Sequence, residues 1–116
     1  MVIYVIMKRE FVSTTVFDRR WTSLNLTDDD LRELQNFIMK NPSAGIAIVG
    51  TGGASKLRFA LPGKGKSGGV RVIFTDVAHK SRFYLLLCYS KSEQDDLTQA
   101  QKKQLASLIK TIKGEP

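Results

Sequence analysis

Residues 55–91, which read SKLRFALPGKGKSGGVRVIFTDVAHKSRFYLLLCYSK, contain three strand patterns separated by two turns and decide the fold of this 116-residue chain. In residues 55–61, apolar and polar side chains alternate, as in a half-buried strand. Residues 70–77 and 82–91 are rich in β-branched and aromatic side chains. The stretch therefore predicts two consecutive hairpins, which form an antiparallel meander.

A register for this meander follows if the first loop takes eight residues and the second takes four. Leu57 then lies opposite Phe74 and Phe59 opposite Val72, while Phe74 and Val72 lie opposite Leu85 and Leu87 on their other side. The second face groups the following side chains: Lys56, Arg58, Arg71, Ile73, Thr75, Tyr84, Leu86 and Cys88. We predict that this second face is a partly covered, concave, basic surface.

The flanking residues predict further elements on both sides of the meander. Residues 10–17 predict a first strand that can extend back over residues 3–7, and residues 19–26 predict irregular structure or a short helix. Thr27 and the three aspartates after it predict a helix over residues 28–40, the one convincing helix before the sheet. Thr98 with Gln101 predicts a capping box that opens a C-terminal helix. The result is a single α+β domain over residues 1–116: a small antiparallel sheet with one or more N-terminal helices and a C-terminal helix.

The central stretch also carries the positive charge of the chain. Residues 55–91 contain eight basic residues and one acidic residue, so their net charge equals the +7 of the whole sequence. The remaining residues are balanced. Because a region of one sign attracts phosphates, we predict a nucleic-acid partner.

Several classes of protein are excluded by the composition. A lone Cys88 and a lone His79 predict neither a disulfide nor a metal site, and no cofactor is expected. The apolar run at residues 1–7 is too short to span a bilayer and is followed, not preceded, by basic residues, so we expect a cytoplasmic protein with no membrane partner. Residues 45–53 (GIAIVGTGG) lack the lysine of a phosphate loop and read as a connection.

RNA cleavage by such a chain would use attack of the ribose 2′-OH on its own phosphate, with a proton acceptor, a proton donor and cations for the phosphate. A lysine among other cations loses its proton more readily, so Lys56 or Lys91 is a candidate base or acid. Arg58 and Arg71 would hold the phosphate. Tyr89 can stack on a base, but the predicted register places it on the core side of the sheet, which favours an ordinary buried tyrosine.

Other residues have a structural interpretation beside the functional one. The loop at residues 62–69 (PGKGKSGG) can bind phosphate through Lys64 and Lys66, or be a solvated hairpin tip. His79 is expected in an exposed turn, and Cys88 and Trp21 are expected in the core. The acidic residues Glu93, Asp95 and Asp96 could supply a base or bind an antagonist, and the default interpretation is a solvated link that leads into the last helix.

The assembled motifs resemble the RelE/HigB group of bacterial type II toxins, especially the HigB branch. The motifs are GGASKLR at residues 52–58, GKGKSGGVR at 63–71 and YSKSE at 89–93. Ser92 stands where better-studied members have arginine, and no tyrosine follows Glu93.

The resemblance implies an mRNA endonuclease that acts in the ribosomal A site, against 16S rRNA, and is neutralised by a helix-turn-helix antitoxin of the HigA kind. By position it assigns catalysis to Lys56, Arg58, Arg71 and Lys91. RNA or ribosome binding falls to the following residues: Lys64, Lys66, Lys80, Arg82 and Tyr89. Two alternatives remain: a non-enzymatic ParE-like toxin of DNA gyrase, disfavoured by the single helix before the sheet, and a basic nucleic-acid-binding module.

Overall fold

The computed structural model describes residues 9–60 and 69–114, in which a five-stranded sheet lies between two layers of helices. The strands are β1 (Glu10–Ser13), β2 (Ile46–Ala47), β3 (Ala54–Phe59), β4 (Val70–Val77) and β5 (Arg82–Ser90). The helices are α1 (Thr15–Ser23), α2 (Asp28–Lys40) and α3 (Gln99–Lys113). The α+β class predicted from the sequence is confirmed.

The sheet has the strand order β1-β5-β4-β3-β2. Its centre is the predicted antiparallel meander of β3, β4 and β5. At one edge β1 pairs with β5 in parallel, so the sheet is mixed and not antiparallel throughout. At the other edge β2 pairs with β3, in a segment that the sequence presented as a connection. The proposed extension over residues 3–7 and the loop that holds Lys64 and Lys66 lie outside the described residues.

The first strand is shorter than predicted because the chain enters a helix at Thr14. The Thr14 hydroxyl accepts a hydrogen bond from the backbone N–H of Phe17 at 3.0 Å and thereby caps α1. Phe17 and Trp21 then lie one helical turn apart, both buried, with ring centroids 5.5 Å apart. Burial of two aromatic rings outweighs the β propensity of residues 15–17. Two helices therefore precede the sheet's centre, and the count of one convincing helix was wrong.

The predicted caps of the other two helices are present. In α2 the Thr27 hydroxyl accepts from the Asp30 N–H at 3.1 Å, and the Asp30 carboxylate accepts from the Thr27 N–H at 2.9 Å. In α3 the same reciprocal pair joins Thr98 and Gln101, at 3.1 and 2.9 Å. Each such cap stabilises its helix by about 1 kcal/mol. The helix over residues 28–40 has the predicted bounds.

Each face of the sheet buries its own cluster of apolar side chains. The first face packs on α1 and α2 through a cluster that includes Phe17, Trp21, Leu34, Ile38, Leu57, Phe59, Val72, Phe74, Phe83, Leu85 and Cys88. The second face packs on α3 through Ala54, Ile73, Leu86, Tyr89, Leu97, Leu105 and Ile109. No helix among residues 9–60 and 69–114 is long and apolar enough to cross a membrane.

The observed register corrects the predicted one at two places. Between β3 and β4 the pairing is displaced by two residues, so Leu57 lies opposite Val72. A displacement of two leaves each side chain on its predicted face. Between β4 and β5, Phe74 pairs with Leu85 as predicted, but a bulge follows, and Val72 pairs with Cys88 instead of Leu87. Because one extra residue reverses the faces beyond it, Cys88 joins the first-face core and Tyr89 the second face.

Candidate nucleic-acid interface

A cleft of about 600 Å³ opens on the second face of the sheet. Its lining consists of four basic side chains, one acidic side chain and one apolar side chain: Lys56, Arg58, Arg71, Lys91, Asp95 and Ile46. The four basic residues are the ones that the sequence assigned to catalysis. The structure therefore brings all four together.

The sheet determines how these cations meet. Lys56 and Arg58 are alternate residues of β3, so both point to the same face. Arg71 of β4 lies directly opposite Arg58. Lys91 follows the last residue of β5, and Arg71 pairs with Tyr89 on that strand. Three neighbouring strands thus each supply positive charge to one end of the second face.

The four cations differ in access to solvent. Arg71 is only 6% exposed, whereas Arg58 and Lys91 are exposed. Within residues 9–60 and 69–114, neither Arg58 nor Lys91 forms an ion pair. The Arg58 guanidinium and the Lys91 ammonium are therefore the cations of the cleft that a phosphate can reach most directly.

Lys56 has a carboxylate partner that the sequence did not reveal. Asp96 Oδ1 lies 3.4 Å from Lys56 Nζ and accepts a hydrogen bond from the Leu97 N–H at 2.8 Å. The Leu97 N–H, with Lys56 and Lys102, lowers the pKa of Asp96 below its usual range. The acidic residues of the link, Glu93, Asp95 and Asp96, are exposed as predicted; Asp95 also lines the cleft, and Asp96 pairs with a cation beside it. An ionised Asp96 must compete with any phosphate for Lys56.

Tyr89 is completely buried on the second face, beside Arg71 on the neighbouring strand. Burial raises the pKa of its phenol, Asp96 raises it further, and Arg71 lowers it. No hydrogen-bond partner for its hydroxyl lies among the described residues. The prediction that Tyr89 is buried is confirmed, but its predicted side of the sheet was wrong because of the bulge at Leu86.

Two of the residues predicted to bind RNA lie at the other end of the β4–β5 hairpin. Arg82 pairs with Val77, and since a strand advances ~3.3 Å per residue, it lies about 20 Å from Arg71 along the sheet. Its guanidinium donates to Glu10 at 2.9 Å, and Lys80 donates to the Ile112 carbonyl of α3. The basic stretch at residues 55–91 is therefore not one continuous patch.

The remaining candidates are placed as the sequence predicted. His79 is exposed in the 3₁₀ turn Ala78–Lys80. Cys88 is buried in the first-face core, and burial raises the pKa of its thiol to about 12. Its thiol is therefore neutral and does not contribute to the cleft.

Sequence reasoning missed Ile46, the apolar member of the cleft. Ile46 is 72% exposed and pairs with Lys56 across β2 and β3. A two-residue strand among glycines leaves no alternating pattern to detect. The one available signal in the sequence was Gly45, which directly precedes β2. A Cβ at this position would lie 2.8 Å from the Cβ of Ser55, so the glycine permits a close approach of this segment to β3.

The fold and the cleft together define a small α+β protein with a cluster of cations in a cleft on its sheet. A protein-family model described as the RelE toxin of the RelE/RelB toxin-antitoxin system matches residues 9–115. The chain therefore belongs to the RelE toxin family.

A solved structure of E. coli toxin RelE, a double arginine-to-alanine mutant in the free state, is similar in fold. The match has a TM-score of 0.56 and 11% sequence identity, and it covers 88% of this chain and 97% of that chain. At this identity the likeness concerns the fold alone.

Proposed function

We propose that this RelE-family toxin is a ribosome-dependent endoribonuclease, one catalytic domain that cuts translated mRNA in the ribosomal A site. The observation that supports it is the meeting of Lys56, Arg58, Arg71 and Lys91 in one cleft. Cleavage by the ribose 2′-OH needs cations and proton transfer at one phosphate, and this cleft supplies side chains for both.

In the proposed reaction the ribose 2′-oxygen bonds to the adjacent phosphorus and the bond from phosphorus to the 5′-oxygen breaks. A base removes the 2′-OH proton, and an acid protonates the leaving 5′-oxygen. Arg58 and Arg71 are suited to the phosphate because a guanidinium binds two oxygens at once. Lys91 is the better candidate for proton transfer, since the Lys56 ammonium already has Asp96 as a partner. Lys56 then neutralises charge on the phosphate.

The proposed partners follow from the family and from the motifs. A RelE toxin has a cognate antitoxin, and the GKGKSGGVR and YSKSE motifs favour an antitoxin of the helix-turn-helix, HigA-like kind. The proposed site of action, on the ribosome with 16S rRNA and mRNA, implies a cytoplasmic protein. A short helix-turn-helix reading frame beside this gene is the expected genomic observation.

The test is a primer-extension map of transcripts after induction of the toxin. Cuts should fall within translated codons and disappear when the start codon of the reporter mRNA is removed. Arg58→Ala and Lys56→Ala should abolish cutting and growth arrest, while Arg32→Ala, which removes an exposed arginine of α2, should change neither. Thermal unfolding of each variant establishes that the fold is intact. Unchanged arrest in both cleft variants would remove these residues from the mechanism.

A ParE-like action on DNA gyrase is the second candidate, and one observation favours it. The helices α1 and α2 both precede the sheet's centre and are joined by four residues, so the lack of a second helix no longer counts against this alternative. The same transcript map separates the candidates: intact mRNA with damaged DNA after induction would support the gyrase toxin. RNA binding without cuts in mRNA or damage to DNA would leave a basic binding module.

A further inference from the structure

Ile46 is an apolar side chain held open to solvent inside a cationic cleft. It is 72% exposed, although β2 pairs with β3 and the neighbouring Ile48 packs on the second-face core. The other side chains that line the cleft are all charged. Single exposed apolar residues are common on protein surfaces, but this one faces the place where the proposed substrate binds.

The backbone fixes Ile46 in this position. Gly45 lies so close to β3 that a Cβ on it would be 2.8 Å from Ser55 and 3.0 Å from the Phe74 ring. After β2 the Ile48 N–H donates to the Ala54 carbonyl at 2.9 Å.

A buried threonine closes the turn that follows β2. The Thr51 hydroxyl donates to the Ile48 carbonyl at 2.7 Å and accepts from the Ala54 N–H at 3.1 Å. Ile46 is also β-branched and therefore stiff about its first side-chain bond. The side chain is thus a fixed surface that loses little freedom on contact with a ligand.

Besides its ribose hydroxyls, an RNA strand presents phosphates, which bind cations, and bases, whose flat faces are apolar. Ile46 lies opposite Lys56, so Arg58 and Arg71 are one and two strands away and two residues further along, which is about 8 and 12 Å at the usual strand dimensions. A phosphate on the arginines therefore leaves a neighbouring base beside Ile46. Apolar and aromatic side chains are the groups that proteins place against unstacked bases.

We propose that Ile46 is the surface on which one base of the bound mRNA packs, next to the phosphate held by Arg58 and Arg71. The inference rests on the proposed function and names the contact that sets affinity and base preference at the cut. A β-branched aliphatic group favours a large purine face over a pyrimidine, since contact area determines the gain.

The experiment compares Ile46→Ser, Ile46→Phe and a control, Val49→Ser, which alters a 91% exposed apolar residue of the same segment that does not line the cleft. Binding is measured by fluorescence anisotropy with a labelled, short, single-stranded RNA and with a fully abasic RNA of the same length. Ile46→Ser should weaken binding by about 5- to 10-fold, the lower end of the range for a base stacked on a side chain. Ile46→Phe should bind at least as tightly as the wild type, and Val49→Ser should bind equally.

RNA that lacks bases decides whether the contact is with a base. It should bind the wild type and Ile46→Ser with similar affinity, because the partner of Ile46 is gone. Equal affinities of wild type and Ile46→Ser for intact RNA would overturn the inference, as would an equal loss on both RNAs.

Cleavage on programmed ribosomes separates this inference from the proposed function. If the wild type cuts mRNA, Ile46→Ser should cut more slowly and with an altered base preference, and an unchanged pattern would overturn the inference. If the wild type cuts nothing, the proposed function fails, while the binding comparison still decides on the base contact. Loss of antitoxin binding by Ile46→Ser, with RNA binding unchanged, would assign the side chain to the antitoxin and overturn the inference.

Discussion

Replacing Arg58 with glutamine should stabilise the protein and weaken its binding of RNA. Arg58 lies directly opposite Arg71, and Lys56 is two residues away on the same face, so like charges are crowded on the floor of the cleft. Like charges directly opposite each other in a sheet are destabilising, within a range of about 0.2–1 kcal/mol for such pairs. Because Arg58 is exposed and water screens its charge, we expect about 0.5 kcal/mol.

This gain corresponds to a rise in melting temperature of about 2 °C, since 1 kcal/mol shifts Tm by roughly 4 °C in a domain of this size. The measurement is thermal unfolding followed by circular dichroism, at low salt and at 1 M salt. The Debye length falls from roughly 30 Å at 0.01 M salt to 3 Å at 1 M. The difference between the variant and the wild type should therefore shrink at high salt.

The same substitution should reduce affinity for a short single-stranded RNA by at least about tenfold, which corresponds to the lower end of the roughly 1.5–3 kcal/mol of a hydrogen bond to a charged group. Loss of one phosphate contact should also reduce the magnitude of the slope of the logarithm of the binding constant against the logarithm of the salt concentration by roughly 0.7. Arg32→Gln is the matched control, because it removes an arginine that is 70% exposed and whose ion-pair partner among the described residues is Asp29 of the same helix. This control should leave the RNA affinity unchanged and should not raise the melting temperature.

A lower melting temperature for Arg58→Gln than for the wild type at low salt would refute this reasoning. It would mean that favourable contacts of the guanidinium outweigh repulsion from Arg71. A stabilisation that is unchanged at 1 M salt would assign the effect to packing or to strand propensity instead of charge.

Three further variants or probes test individual groups. Tyr89→Phe removes a buried hydroxyl, so the free energy of unfolding in urea should be unchanged or rise by up to about 1 kcal/mol; a loss larger than that would reveal a bonded hydroxyl. Asp96→Asn should tighten the binding of single-stranded RNA severalfold, because it releases Lys56. The control Asp29→Asn makes the same change of charge on α2 and should leave the affinity unchanged. Equal effects of the two variants would show that only net charge matters. Iodoacetamide at pH 8 should label Cys88 far more slowly in the native protein than in urea, because burial raises its pKa to about 12, and equal rates would contradict burial of the thiol.

Local patterns in the sequence predicted most of the fold and the cations of the cleft. The threonines at positions 27 and 98 cap helices through bonds to residues three positions away, so the sequence alone reveals them. The face of Lys56, Arg58 and Arg71 follows from the period of two in a strand. The predicted face is correct although the predicted register was wrong by two residues, because only an odd displacement moves the side chains of a strand to the opposite face.

The features that escaped prediction depend on contacts distant in the chain. The bulge falls within three consecutive leucines at 85–87, where every residue suits either face and no pattern marks the extra one. The helix α1 replaces a predicted strand end because Phe17 and Trp21 are buried against the sheet. The pairing of Asp96 with Lys56 joins residues 40 positions apart. Each of these required the assembled sheet.

The acidic link beside the cleft has a consequence for the proposed activity. Asp96 offsets part of the repulsion among the cations, and its carboxylate, whose pKa the Leu97 N–H and Lys56 lower further, is ionised at neutral pH. A phosphate that binds Lys56 must therefore displace a carboxylate, so the affinity of the cleft for free RNA is a difference between two favourable interactions. We therefore expect this cleft to bind RNA that is free in solution weakly. Affinity should be higher when a partner holds the mRNA in place, because the partner has already restricted the position and orientation of the RNA. This balance would give the proposed dependence on the ribosome a physical reason that involves Asp96.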